Sequence, residues 1–375
     1  MTAKTHMSAS GPARFGADPA TTALQLGPLA PLVGSWQGTG FNAIWRPDNT
    51  QPPQNSPIRR FLELNLTNDS LRFEAIPGVV PNRGVANQPD INLFGLHYLQ
   101  RVSDADKPPF STAGQALHIE PGLFMSVPAS LVNPLGDAGG PQVPASIVRL
   151  ASIPHGVSLL MQGPTPSATP VAGAPNIPPI FPIPELPAFV PPAGAVGLGI
   201  QPTDIPPPGG DGKEHIVPEV NVAANVAGSQ SNGPYPDPPF QGLINDPNSI
   251  LRSAIASQTI LGTITIQLST AAVTNSIGNI PFLGLPNAAQ AQNPVNPNAF
   301  VSSARATFWI EWVRNDGPHP GNKPPVLPGG GANPIQPFPG QSTFLQLQYS
   351  QLSILIFNGV LWPHINVGTL TLAAG

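Results

Sequence analysis

The chain has no cysteine. Disulfides, thiolate metal sites and cysteine nucleophiles are therefore excluded, although the absence does not fix the compartment. Charge is also scarce. Asp, Glu, Lys and Arg make up 9% of the 375 residues, against about 25% in an average soluble domain. Fifteen Lys and Arg spread along the chain, at a net charge of −4, do not form the clustered cations that neutralise phosphates, so nucleic acid is not expected as a partner. No run of about 18 apolar residues is free of Pro, Gly or polar breaks, and no membrane span is expected. The segment from Met1 to Thr22 is rich in Ala, Ser, Gly and Thr and has no apolar stretch of signal-peptide length. These features lead to the expectation of a soluble, cytoplasmic protein with residues 1–24 as a disordered leader. A homo-oligomer is compatible with all of them.

Proline, in contrast, is abundant, with 53 residues. Each proline inside a helix costs about 3 kcal/mol, which excludes a mainly helical protein of this length. Hydrophobic residues at 40% still suffice for a core. Period-two alternation supplies the elements. Leu62, Leu64 and Leu66 share one face against Glu63 and Asn65, and Ile264, Ile266 and Leu268 oppose Thr263, Thr265 and Gln267. Phe308, Ile310 and Trp312 oppose Thr307, Trp309 and Glu311, and Leu347 and Tyr349 oppose Gln346, Gln348 and Ser350. Strands of this kind are half-buried and antiparallel. The expected fold is all-β, a single up-and-down antiparallel barrel of about 8–10 strands over residues 25–375. It carries a Pro-rich insertion at about 164–245 and a second long loop at about 315–340.

The insertion is unusually apolar for a linker. Ile177, Ile180, Phe181, Ile183, Leu186 and Phe189 alternate with prolines. Two readings stand: a disordered insert, or a polyproline-like strap packed on the barrel, with residues 175–192 ordered. The strap is preferred, because free hydrophobes on a chain with so little charge invite aggregation.

Common catalytic signatures are missing. There is no H-x-x-x-H, Walker or G-x-S-x-G sequence, and Glu74, Asp90, Asp104 and Asp106 are dispersed. Gly209 to Lys213 runs into Glu214 where a phosphate loop needs Ser or Thr. Arg83 sits in a turn and reads either as a surface residue or as a clamp for a ligand carboxylate. His155, before Gly156, reads as a turn residue. His118 and Glu120 are two apart and share a strand face. They are either a polar pair at a cavity mouth that assists proton transfer or a structural hydrogen bond steadying a turn at Glu120-Pro121-Gly122.

Several segments resemble nitrobindin-like, lipocalin-like haem-binding β-barrels. Leu29 to Gly40, with Gly34-Ser35-Trp36-Gln37-Gly38, resembles the opening strand, in which the Trp plugs the closed barrel end. Tyr98-Leu99-Gln100-Arg101, Gly114 to Gly122, and Ala151 to Ser158 follow in the family's order. Leu347 to Ser350 with Trp362-Pro363-His364-Ile365-Asn366-Val367 resembles the closing hairpin. The resemblance implies a haem b group with His364 as the iron's axial ligand, small Asn366 and Gly368 leaving room for the macrocycle, and Trp45, Arg46 and Ile354 at positions lining the cofactor. His118 falls near the distal side and is the catalytic candidate. The sequence departs from the family pattern at Ile44-Trp45-Arg46 and at Ile354, so the proximal anchor carries over better than any distal chemistry. The implied ligands are small gases, peroxides or an apolar small molecule, with peroxidase- or isomerase-like activity. The alternative is a haem-free carrier of a hydrophobic molecule.

Overall fold

The computed structural model describes residues 19–47, 60–83, 90–105, 116–131, 142–153, 157–180, 243, 246–272, 299–316, 337–357 and 360–373. Helix α1 (Pro19–Leu26) and a 3-10 turn (Gly27–Leu32) lead into β1 (Gly34–Pro47), followed by β2 (Arg60–Ala75), β3 (Val80–Asn82), β4 (Ile91–Asp104) and β5 (Ala116–Val127). Two short strands, β6 (Ser130–Leu131) and β7 (Gln142–Val143), form a separate ribbon. Then come β8 (Ser146–Ile153), β9 (Val157–Pro164), β10 (Val171–Ala172), α2 (Ser249–Ile255), β11 (Ile260–Ser269), β12 (Ala299–Arg314), β13 (Thr343–Phe357) and β14 (Val360–Leu372). Ten strands, β11-β12-β13-β14-β1-β2-β4-β5-β8-β9, pair antiparallel in that order, and Ser269 opposite Gln162 closes β11 onto β9. Closure removes the sheet edges that long apolar strands would otherwise expose.

One end is plugged. The helix α1 starts at Pro19, inside the segment read as a leader, and buries Ala23 and Leu26, and the 3-10 turn adds Leu29 and Leu32. Pro28 at the start of that turn tolerates the missing N–H. Trp36, fully buried, donates its indole N–H to Leu32 O at 2.7 Å. The indole therefore ties plug to barrel, as the Gly-x-Trp pattern implied. Above it the lumen is filled by Leu71, Phe73, Phe124, Ile266, Phe308 and Leu347. Phe73, Tyr98 and Phe124 pack with centroids 5.2–5.8 Å apart, and Phe308 joins Phe124 at 5.4 Å in an edge-on contact.

Part of the strap is seen. Residues 175–180 carry buried Ile177 and Ile180, while Phe181, Ile183, Leu186 and Phe189 lie outside the described residues. The α2 region fixes this segment through three bonds: Asp246 accepts from the Ile180 N–H at 3.1 Å, Asn248 donates to Pro178 O at 2.7 Å, and Arg252 donates to Ile177 O at 3.2 Å. A proline-rich segment has few N–H groups of its own, so side chains supply the missing donors. On the barrel's outer face, Gln348 donates to Leu251 O in α2 at 2.9 Å. Glu311, buried there, accepts from Gln346 at 2.6 Å, and burial pushes its carboxyl up to about 7.

The facing of β2 differs from the sequence expectation. Its lumen side is Asn65, Thr67, Asp69, Leu71 and Phe73, all buried, while Leu66 is exposed on the outside. One parity runs through the strand, but the inner face changes from apolar to polar toward the open end. Alternation alone assigns the leucine face to the core and cannot register that change.

Candidate functional site

The polar half of the lumen is built by equivalent inward positions on adjacent strands. Antiparallel partners share a face. The register pairs Phe73 with Tyr98, Phe124 with Arg149, Tyr349 with Gly368, Gln351 with Asn366 and Ser353 with His364. Val102 pairs with His118 and Gln100 with Glu120.

Arg149 is the hub. It is 2% exposed, and its ion-pair partner Glu120 is 1% exposed. Its Nε donates to Tyr98 Oη at 2.9 Å and a terminal nitrogen donates to Gln351 Oε1 at 2.7 Å. The Tyr98 hydroxyl in turn donates to Glu120, and His118 Nε2 lies 3.2 Å from the other Glu120 oxygen. The guanidinium carbon stands 5.4 Å from the Tyr98 and Phe308 ring centroids and 5.7 Å from that of Phe124. Three aromatic faces thus replace part of the hydration that burial removes. Burial pushes the Glu120 carboxyl up, but the Arg149 charge and the bonds from His118 and Tyr98 outweigh it and hold the group well below the usual carboxylate range. The Tyr98 hydroxyl is pushed well above its ordinary value, by burial first.

A second cluster adjoins the first. Tyr349 donates to Asp69 and shares its hydroxyl with Asn366 Oδ1 at 3.3 Å, while Gln100 donates to that hydroxyl at 3.3 Å. Burial raises the Asp69 carboxyl to about 6, opposed by the Tyr349 bond. Glycine makes this arrangement fit. A Cβ at Gly368 would stand 2.6 Å from a Tyr349 ring carbon and 2.8 Å from Asp69 Oδ2. The ring and the carboxylate therefore occupy the room that a side chain would need.

The expected site residues fare differently. His364 faces the lumen opposite Ser353 and is half-buried. His118 and Glu120 share a face and touch, as their spacing implied. They do so on a β5 that runs on through Pro121, however, with no turn there, and its one irregularity in pairing with β4 falls earlier, between Ala116 and His118. Pro121 is accommodated because the pairing of β5 with β8 begins only at Gly122. Ile354 is buried with Leu352 on the outer face, away from His364. Trp45 and Arg46 extend β1, but their side chains lie outside the described residues, as does His155. Arg83 pairs with Asp90 and is largely exposed, so it stands on the surface. Among the described residues, no group of three or more His, Asp or Glu is placed to hold a metal ion, and no helix is long and apolar enough to cross a membrane.

The room beside Gly368 is filled. The Tyr349 ring and the Asp69 carboxylate occupy it. The described residues do not fit a macrocycle stacked along that stretch of β14.

Tyr98, Arg149, Asp69 and Tyr349 are the residues that sequence reasoning missed. Arg149 left a signal, since it holds the parity of Ile147 and Ala151 within the apolar run Ser146 to Ile153. A charge on the inward parity of a strand is a buried charge if that face is the core.

Comparison with protein-family models, curated proteins and solved structures gives no match.

Proposed function

We propose that the protein is a small-molecule-binding barrel whose ligand sits in the polar half of the lumen, above the Arg149–Glu120 pair. One observation carries the reading. His118, Gln351, Asn366 and His364 all face inward yet keep partial solvent exposure, whereas inward residues at the Trp36 end are buried. Water therefore reaches the lumen from one end, down to a buried, hydrogen-bonded charge network. Such networks seldom add net stability over a packed apolar core. Perturbed groups below the solvent-reached end of a barrel lumen are what recognition sites require.

Because the aromatic cluster and the plug fill the apolar half, the ligand is polar and small. The lining favours this over the apolar cargo of a hydrophobic carrier. An amide NMR titration with a panel of small polar compounds tests the reading. Shifts should concentrate on the inward positions of β1, β2, β5, β13 and β14. A panel that perturbs only outer-face residues, or none, would sink it.

A haem b group on His364 is the second reading. The inward placement of that histidine opposite Ser353 favours it, while the filled space beside Gly368 weighs against it. Haem would supply gas- or peroxide-binding chemistry, and a hemin titration followed at the Soret band decides between the two.

A further inference from the structure

On the inward faces of β1 and β2, Asn42 Oδ1, Asp69 Oδ1 and Thr67 Oγ1 are buried without a hydrogen-bond partner among the described residues, and of the three only the Thr67 hydroxyl can also donate. The two that can only accept, Asp69 Oδ1 and Asn42 Oδ1, make no hydrogen bond among the described residues, and their residues are each 3% exposed. Both side chains face inward from adjacent strands. Asp69 lies opposite Gly38 and Asn42 opposite Asn65, with Gly40 between the two positions on β1. Gly40 itself pairs with Gly368 on β14, and the space that a Cβ at Gly40 would need is taken by Thr67 Oγ1 and Asp69 Oδ2, at 2.7 and 3.1 Å, so the Asp69 carboxylate leans from its place opposite Gly38 toward the Asn42 end of β1. Asn366, directly across from Asn42, is partly exposed and marks the route in.

The charge balance has one sign. Arg149 is already matched by Glu120. Asp69 has a hydrogen bond from Tyr349 but no ion pair among the described residues. An orphaned buried acceptor costs about 1–3 kcal/mol, and more for a charged group. Two such acceptors, one on a carboxylate without an ion pair among the described residues, call for a cationic group with several N–H donors.

We propose that the lumen site takes a protonated primary amine, its ammonium donating to Asp69 Oδ1 and Asn42 Oδ1. The inference rests on the lumen-binding reading above. A metal cation is a poorer occupant, because these inward positions offer it a single carboxylate beside neutral oxygens of Asn42 and Thr67. A carboxylate or phosphate ligand would face Asp69 and be repelled.

Calorimetry with benzylammonium, benzyl alcohol and benzoate on the full chain, combined with amide NMR, tests the proposal. Benzylammonium should bind at least tenfold more tightly than benzyl alcohol, and benzoate should not bind. Asp69→Asn, which keeps an acceptor for Tyr349, should erase the amine's advantage. Asn42→Ala should weaken the amine severalfold and guards against a folding defect in the first variant. If benzyl alcohol or benzoate shifts the lumen resonances as strongly as the amine does, and Asp69→Asn changes nothing, the amine assignment falls while the lumen-binding reading survives. If none of the three probes binds, the amine proposal is overturned. The broader compound panel then judges the lumen reading by itself.

Discussion

Arg149 and Glu120 form an ion pair at the centre of the barrel, with both side chains almost fully withdrawn from water. The pair is held by partners on three sides, Tyr98, His118 and Gln351. Removing one charge leaves the other buried and uncompensated. Arg149→Met is expected to cost about 3–5 kcal/mol, measured by urea denaturation. Adding Glu120→Gln should recover a substantial part of that loss. A double variant no more stable than the single one would show that the pair is not the coupled unit described.

The Asp69 carboxyl gives stability a pH dependence of definite sign. Its value rises from 3.8 to about 6 on folding, so the native state holds the proton more tightly than the unfolded chain. The stabilisation is fully present below pH 3.8 and is lost as pH rises through about 6. Relative to Asp69→Asn, the wild type should lose up to about 3 kcal/mol over this window. Glu311 adds a slope of the same sign, its value rising from 4.5 to about 7. Glu120 acts oppositely, because its lowered value makes its contribution present above the ordinary carboxylate range and lost in acid. Denaturation at a series of pH values, taken as wild type minus Asp69→Asn, isolates the first effect. A flat difference would refute it.

Gly368 is expected to resist substitution. In Gly368→Ala the new methyl meets the Tyr349 ring at 2.6 Å and Asp69 Oδ2 at 2.8 Å. Ring and carboxylate must both move, at about 1–3 kcal/mol for overpacking. The same variant should weaken any lumen ligand, since it disturbs the Tyr349–Asp69 bond. Wild-type stability and unchanged binding would contradict this geometry.

Trp36→Ala is expected to cost about 3–5 kcal/mol, through the cavity left by a fully buried indole and the lost bond to Leu32. In a variant that keeps Trp36 as the sole tryptophan, emission should be blue-shifted in the native state. A red-shifted native spectrum would place the residue in water and contradict the plug.

For haem, the expected outcome is that added hemin produces no Soret band that His364→Ala abolishes. A band dependent on His364 would replace the amine-binding lumen with an axially ligated cofactor.

Much of the barrel was legible in the sequence. Period-two alternation in β11, β12 and β13 placed Ile264, Ile266, Phe308, Ile310, Leu347 and Tyr349 on one face, and the lumen holds that face. The spacing of His118 and Glu120 also fixed their common facing, because strand geometry is local. What lay beyond sequence was which face is inside where both are mixed. In β2 the leucines at 62, 64 and 66 outscore Asn65, Thr67 and Asp69, yet the polar set faces the lumen, because parity is inherited from Leu71 and Phe73 farther along the strand. The Arg149 network was equally hidden. Its members lie as far apart as Tyr98 and Gln351, and those of the adjoining cluster as far apart as Asp69 and Tyr349; closure of β11 onto β9 brings Gln351 to Arg149, and pairing of β14 with β1 brings Tyr349 to Asp69. Local periodicity follows from the backbone; a site assembled across a closed barrel depends on register and shear, which no single segment of the chain contains.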